Sequence, residues 1–251
     1  MDSIVELVKR NEQLLLENAE ALNDEEVEQE DIDEYLKIQG ATKEELSAFE
    51  NQFQIRLPED FKTVYSYKNG SGYMSLIWPQ EGFYRGYRLL SLKEIIKLKS
   101  LFQNKNCKMT EFPNVIGEKQ LQQLDERIKP YLFCERWFPF AEYAGSLYLM
   151  LDYNPSEKGE IGQIICYVHD PDFIYYVAPN ITEALKMTET VIENLSSNFW
   201  RTLYGLDGSD GVGRCQGCGP CGGYRTDGCA IWHLCGGLFP FGRGSLGDRA
   251  Y

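Results

Sequence analysis

Residues 136–178 read RWFPFAEYAGSLYLMLDYNPSEKGEIGQIICYVHDPDFIYYVA. Within this stretch Leu147, Leu149 and Leu151 alternate with Tyr148, Met150 and Asp152, so both sides of the run are largely apolar. A strand covered on both faces has this composition. Asn154-Pro155 ends it, and Gly159 to Gly162 supplies a loop that turns the chain back. Ile164, Cys166 and Val168 then share one face, while Gln163, Ile165 and Tyr167 share the other. Asp170-Pro171-Asp172 makes a further turn before a third strand, Ile174 to Ala178. The stretch predicts a three-stranded antiparallel meander at the centre of a sheet.

Helix signals lie on both sides of it. Residues 1–23 carry Ile4, Val5, Leu7, Val8, Leu14, Leu15 and Leu22 as a docking face. Thr42-Lys43-Glu44-Glu45 and Ser91-Leu92-Lys93-Glu94 are capping boxes, in which the hydroxyl and the glutamate satisfy each other's backbone donors. Pro58 opens a helix that Asn69-Gly70 closes, and Asn180 caps a last long helix with Ala184, Leu185, Val191 and Ile192 inward. Short strands are expected near Tyr73 to Trp78 and Tyr84 to Leu90, an irregular stretch over 103–118, and a helix from Glu118 to Ile128. The sum is α+β: a single domain with a central antiparallel-rich sheet flanked by helices.

Charge and cysteine divide the chain. The net charge is −13. Residues 1–60 hold 18 acids against 5 bases and account for all of it, most densely at Asp24 to Glu34. Such a run repels phosphates, which argues against nucleic acid as a partner. It reads as a solvated linker, or as a lure for a basic partner. No run of 18 apolar residues marks a membrane span, and the start MDSIVELVKRNEQ has no secretory character, so the expected compartment is the cytoplasm. The last 47 residues hold 14 glycines and no lysine, with Cys215, Cys218, Cys221, Cys229 and Cys235 crowded together. That composition buries too little apolar surface to fold unaided. The expected organisation is therefore an N-terminal helix and acidic linker over 1–36, a domain over 37–204, and a disordered or non-native tail over 205–251.

No catalytic constellation emerges. There are only two histidines, and neither a nucleophile elbow, a phosphate loop nor a metalloprotease motif is present. The tail's C-x2-C-x2-C run lacks the second knuckle that a zinc ribbon needs, so no metal and no cofactor are expected. The aromatic residues point elsewhere: Trp78, Tyr84, Tyr87, Trp137, Tyr143, Tyr153, Tyr175 and Tyr176 exceed what a modest sheet would bury. Beside acidic residues they suggest a protein-binding face. The residues assigned to it are Trp78, Tyr84, Glu142, Tyr143, Asp152, Tyr153 and Glu160.

Trp137, Pro139-Phe140-Ala141, Gly145, Leu151-Asp152, Pro155 and Gly162-Gln163-Ile164 resemble, in order, the motifs of the SUKH (Smi/Knr-type) superfamily. Gly40-Ala41-Thr42, Leu57-Pro58-Glu59-Asp60-Phe61 and Arg88 to Ile95 extend the resemblance, which covers about residues 38–195. The loop Glu142 to Ser146 departs from it, being poorer in glycine than the family pattern. The resemblance implies an α+β domain that binds proteins and is not an enzyme. Specifically, it implies an immunity protein that neutralises a cognate toxin, such as a nuclease or another toxin with a basic groove, by occluding its active surface. A regulatory scaffold in cell-wall assembly is the alternative.

Overall fold

The structure is a computed structural model and describes residues 3–18, 28–79, 86–102, 106–113, 116–169 and 172–204, with side chains omitted for 101, 102 and 195–204. In chain order it runs through helices α1 (Ile4–Glu17), α2 (Gln29–Lys37), α3 (Lys43–Phe53) and α4 (Glu59–Tyr67), then strands β1 (Ser75–Ile77) and β2 (Tyr87–Leu89). Helix α5 (Leu92–Phe102), strand β3 (Cys107–Lys108), a 3-10 turn at Met109–Glu111, helix α6 (Glu118–Gln123) and strand β4 (Tyr131–Phe133) follow. Strands β5 (Trp137–Tyr143), β6 (Leu147–Asp152), β7 (Gln163–Val168) and β8 (Phe173–Ala178) lead into α7 (Ile181–Tyr204).

Six strands form one antiparallel sheet in the order β1-β2-β5-β6-β7-β8, and β3 pairs with β4 in a separate ribbon. The expected meander is present as β6-β7-β8, yet it ends the sheet and does not lie at its centre, because β8 is an edge. A fourth member, β5, extends the meander on its other side. Its WFPFAEY sequence hides the strand: Pro139 removes a ladder donor, and the register slips between Pro139 and Ala141 to absorb it.

The alternation along β6 and β7 holds residue by residue. Leu147, Leu149, Leu151, Ile164, Cys166 and Val168 face the helical layer, where they meet Leu7, Val8, Phe49, Phe61, Val64, Leu185 and Ile192. Tyr148, Met150, Ile165 and Tyr167 face the opposite layer, built from Met109, Ile116, Ile128, Leu132 and Trp137. The stretch expected to be irregular thus contributes Met109 and Ile116 to the second cover of the sheet. The expected helix from Glu118 ends at Gln123, after which Asp125 accepts from the Arg127 backbone and guanidinium in a tight turn.

The caps form as expected. Thr42 Oγ1 accepts from Glu45 N at 3.1 Å while Glu45 accepts from Thr42 N at 2.7 Å, Ser91 and Glu94 exchange the same bonds, and Asn180 accepts from Glu183 N. Gly40 lies so close to α4 that an added Cβ would meet Ser66 O at 1.8 Å.

The acidic N-terminal run is not all linker. Residues 29–37 form α2, which docks through buried Tyr35. The Tyr35 and Tyr67 hydroxyls both donate to the Glu12 carboxylate, the latter at 2.7 Å. Lys68 Nζ donates to Tyr35 O and Ile38 O at 3.0 and 3.2 Å and sits 4.4 Å above the Tyr35 ring. Together with Leu7, Val8 and Leu15 of α1, these contacts make the arm part of the core. No helix among the described residues is long and apolar enough to cross a membrane. The Gly- and Cys-rich tail and Tyr84 lie outside the described residues.

Candidate functional site

The two ends of β6, about 17 Å apart at roughly 3.4 Å per residue, have different characters. At its C-terminal end Asp152 is fully buried. Cross-strand pairing sets it opposite Trp137, whose indole N–H donates to Oδ1 at 2.9 Å. Asn154 N donates to the same oxygen at 2.7 Å, and Gln163 Nε2 donates to Oδ2 at 2.9 Å. Burial pushes the Asp152 carboxyl above its ordinary pKa, and these three donors pull against that shift without cancelling it. Asp152 therefore anchors the strand end and the Asn154-Pro155 turn.

Three assigned binding residues are corrected by burial. Asp152 is spent on this network. Tyr153 is buried, with its hydroxyl donating to Arg56 O at 2.7 Å and its ring edge-on to Phe138. Trp78 is buried, with its indole N–H on Ser75 O and its backbone N–H on Thr188 Oγ1. None of the three offers a side chain to a partner. Tyr87 and Trp137, two of the aromatics counted as surplus, are buried as well. Glu160 is exposed, at the turn before β7. Glu142 and Tyr143 are half-buried at the other end of the sheet. The assigned residues therefore form no single patch.

The register does assemble a site at the hairpin end. Ala144 and Gly145 both have positive φ, as a tight hairpin turn of the primed kind requires, and Ser146 N closes it onto Tyr143 O. Across the strands Arg88 pairs with Glu142, Glu142 with Tyr148, Tyr148 with Tyr167, and Tyr167 with Ile174. Opposite residues of a ladder point to the same face, so these five form one row, from half-buried Arg88, Glu142 and Tyr148 to buried Tyr167 and Ile174. Arg88 bridges two carboxylates. It donates from Nε and Nη2 to Glu142 Oε1, and from Nη1 to Glu94 Oε1 at 2.8 Å. Burial opposes the Glu94 charge, but the bonds from Arg88 and Ser91 outweigh it and hold this carboxyl below its usual range.

The Tyr148 and Tyr167 rings lie stacked at 6.3 Å, and burial, followed by nearby carboxylates, raises both phenols. At the end of the row the Tyr167 hydroxyl and His169 Nδ1 both meet Asp172 Oδ1, the latter at 2.9 Å, while the His169 side chain stays 62% exposed. The sequence singled out Glu142 and Tyr143 but not Arg88, Glu94, Tyr148 or Asp172. What links these residues is strand register, which no local pattern carries. The arrangement offers carboxylates beside aromatic faces, the chemistry that receives cationic side chains. Among the described residues no group of histidine, cysteine and carboxylate side chains could hold a metal ion.

Comparison with known proteins adds one finding. The profile of the SMI1 / KNR4 family (SUKH-1) matches residues 40–187. No curated protein matches the chain.

Proposed function

The chain belongs to the SMI1/KNR4 (SUKH-1) family, and on that premise we propose that it is a non-catalytic immunity protein, acting in the cytoplasm, that neutralises a cognate toxin by covering its active surface. Protein–protein interaction is the general expectation for the family. The observation that carries the finer reading is the row at the hairpin end, where Glu142 lies opposite the half-buried Tyr148, Glu94 joins the row through Arg88, and Asp172 joins it through the Tyr167 hydroxyl. A toxin that cuts nucleic acid has a basic groove, and this row together with the acidic residues of 1–60 complements it. A cell-wall regulatory scaffold is favoured less, because the arm that would serve it as an interaction element is folded into the core through Leu7, Val8, Leu15 and Tyr35.

The test is to measure association of the purified chain with toxin domains encoded by neighbouring genes. Tyr148→Ala should raise the dissociation rate about 30-fold, corresponding to an aromatic anchor of about 2 kcal/mol, with little change in the association rate. Glu160→Ala, at the far end of the sheet, should leave both rates unchanged. If no neighbouring toxin is bound, or if binding ignores the row, the reading fails.

A further inference from the structure

Helices α1 and α2 are held to the domain by different means. α1 buries Leu7, Val8, Asn11 and Leu15, and its apolar members pack into the helical layer beside the sheet. α2 buries Tyr35 alone among its nine residues. Ile32 is half-buried, Leu36 is 57% exposed, and the remaining positions are polar. What fixes Tyr35 is polar as well. Its hydroxyl donates to the Glu12 carboxylate, and the Lys68 ammonium lies over its ring. Among the described residues, both hydrogen bonds of that ammonium end on Tyr35 O and Ile38 O, in the last turn of α2 and at its cap. A cation is favoured at that end of a helix.

We infer that α2 is a strap latched by Tyr35, which opens as a unit while α1 and the sheet stay folded, and in opening uncovers Glu12 and Lys68. A helix of nine residues is not stable in water by itself. α2 therefore persists only while Tyr35 is seated, and melts when the ring leaves. Little apolar surface is exposed in that step, since one ring and the rim contact of Ile32 are all that α2 contributes to the core. The charged groups of the latch are hydrated once α2 lifts, and a hydrogen bond exchanged for one to water is worth little net. An incomplete withdrawal is worse than either end state, because it strips the carbonyls from a buried ammonium before water reaches it. Opening is therefore all-or-none. With Tyr35 out, Glu12 keeps the Tyr67 hydroxyl, at 2.7 Å, and Lys68 turns to solvent. The deep apolar side chains of α1 are not part of the step, and elements held by few buried apolar contacts are those that open first.

Amide hydrogen exchange of the full chain, read by mass spectrometry as protection factors, tests this. In wild type, residues 29–37 should be protected at least about tenfold less than residues 4–17 of α1 or 147–152 of β6. Tyr35→Phe keeps the ring and removes its donor, and Lys68→Met keeps the stem and removes the ammonium. Each should lower the protection of 29–37 about tenfold further, as expected for a hydrogen bond to a charged group, and leave 4–17 and 147–152 as in wild type. Equal protection of 29–37 and 4–17 in wild type overturns the inference, because α2 then opens only with the whole fold. Weak protection of 29–37 that neither variant changes overturns it too, because Tyr35 and Lys68 are then no latch. So does a loss of protection that spreads equally to α1 and β6 in both variants, which would make the latch part of the core.

Discussion

Removing the buried carboxylate at the end of β6 should cost the fold dearly and leave the hairpin row untouched. Asp152→Ala strands three donors: the Trp137 indole N–H, the Gln163 amide and the Asn154 backbone N–H. An orphaned buried donor costs about 1–3 kcal/mol, and half-buried Asn154 can recover some of that from water. A total of about 4 kcal/mol is expected, a drop of about 8–16 °C in Tm for a chain of this size. Asp152→Asn is the sharper probe. Its oxygen keeps Trp137 and Asn154, but its new amide faces the Gln163 amide, donor against donor. Gln163 cannot turn over to help, because its Oε1 accepts from Glu160 N at 3.1 Å while its Nε2 donates to Arg127 O at 3.0 Å. About 1–3 kcal/mol should be lost. Thermal unfolding followed by circular dichroism is the assay, with exposed Glu160→Ala as a control expected within about 0.5 kcal/mol of wild type. An Asp152→Ala variant that melts within about 2 °C of wild type would show that the network does not hold the strand end.

Three further outcomes follow from the described contacts. Lys99 is buried, with its amine on Glu135 O and over the Phe138 ring, and desolvation lowers its pKa from 10.5 to about 8. Between those values the unfolded chain binds the proton more readily than the folded one, so stability should rise with pH across that window. Urea midpoints from pH 7 upward should show this rise in wild type and lose it in Lys99→Met; parallel curves would refute it. Deleting residues 1–36 removes Leu7, Val8, Leu15 and Tyr35 from the core, so the remainder should lose cooperative unfolding and bind a hydrophobic dye, whereas a linker would be dispensable. Asn11 is buried with Oδ1 unpaired and Nδ2 donating to Leu185 O at 2.9 Å, beside a small cavity lined by Val8, Val64, Lys68, Leu76 and Leu185. Asn11→Leu should therefore raise stability by about 1 kcal/mol, and a lower denaturation midpoint would argue against it.

What the sequence made legible was what short-range pattern carries. Period-two alternation on β6 and β7 named both faces correctly because each side chain's direction follows from its position alone. The capping boxes at Thr42 and Ser91 were equally local. The misreadings were all non-local. β5 was missed because Pro139 breaks the pattern and only pairing with β6 reveals the bulge. α2 was read as linker because its nine residues are mostly acidic, and what holds it is Tyr35 meeting Glu12 and Lys68 from distant elements. The aromatic surplus was overcounted because the layer formed by 107–134 was not foreseen. That layer buries Trp137, while the helical side absorbs Trp78, Tyr87 and Tyr153, with the Tyr87 hydroxyl against Cys166 Sγ and the Tyr153 hydroxyl on Arg56 O.

The same division explains why acidity alone does not mark an open face. Asp152 and Glu142 look alike in sequence, on neighbouring strands beside aromatic residues. Register separates them: Asp152 falls opposite Trp137 and is enclosed by three donors, whereas Glu142 falls opposite Arg88 and Tyr148 on a row that stays half open. An enclosed carboxylate has its hydrogen bonds satisfied and gains nothing from a partner. A half-open one, shared with an arginine and set beside a tyrosine face, still has an oxygen and a ring to offer, and displacing the remaining water there strengthens whatever cation replaces it. The proposed function therefore puts recognition at the hairpin end, while the Asp152 end keeps the strands in the register that builds the row.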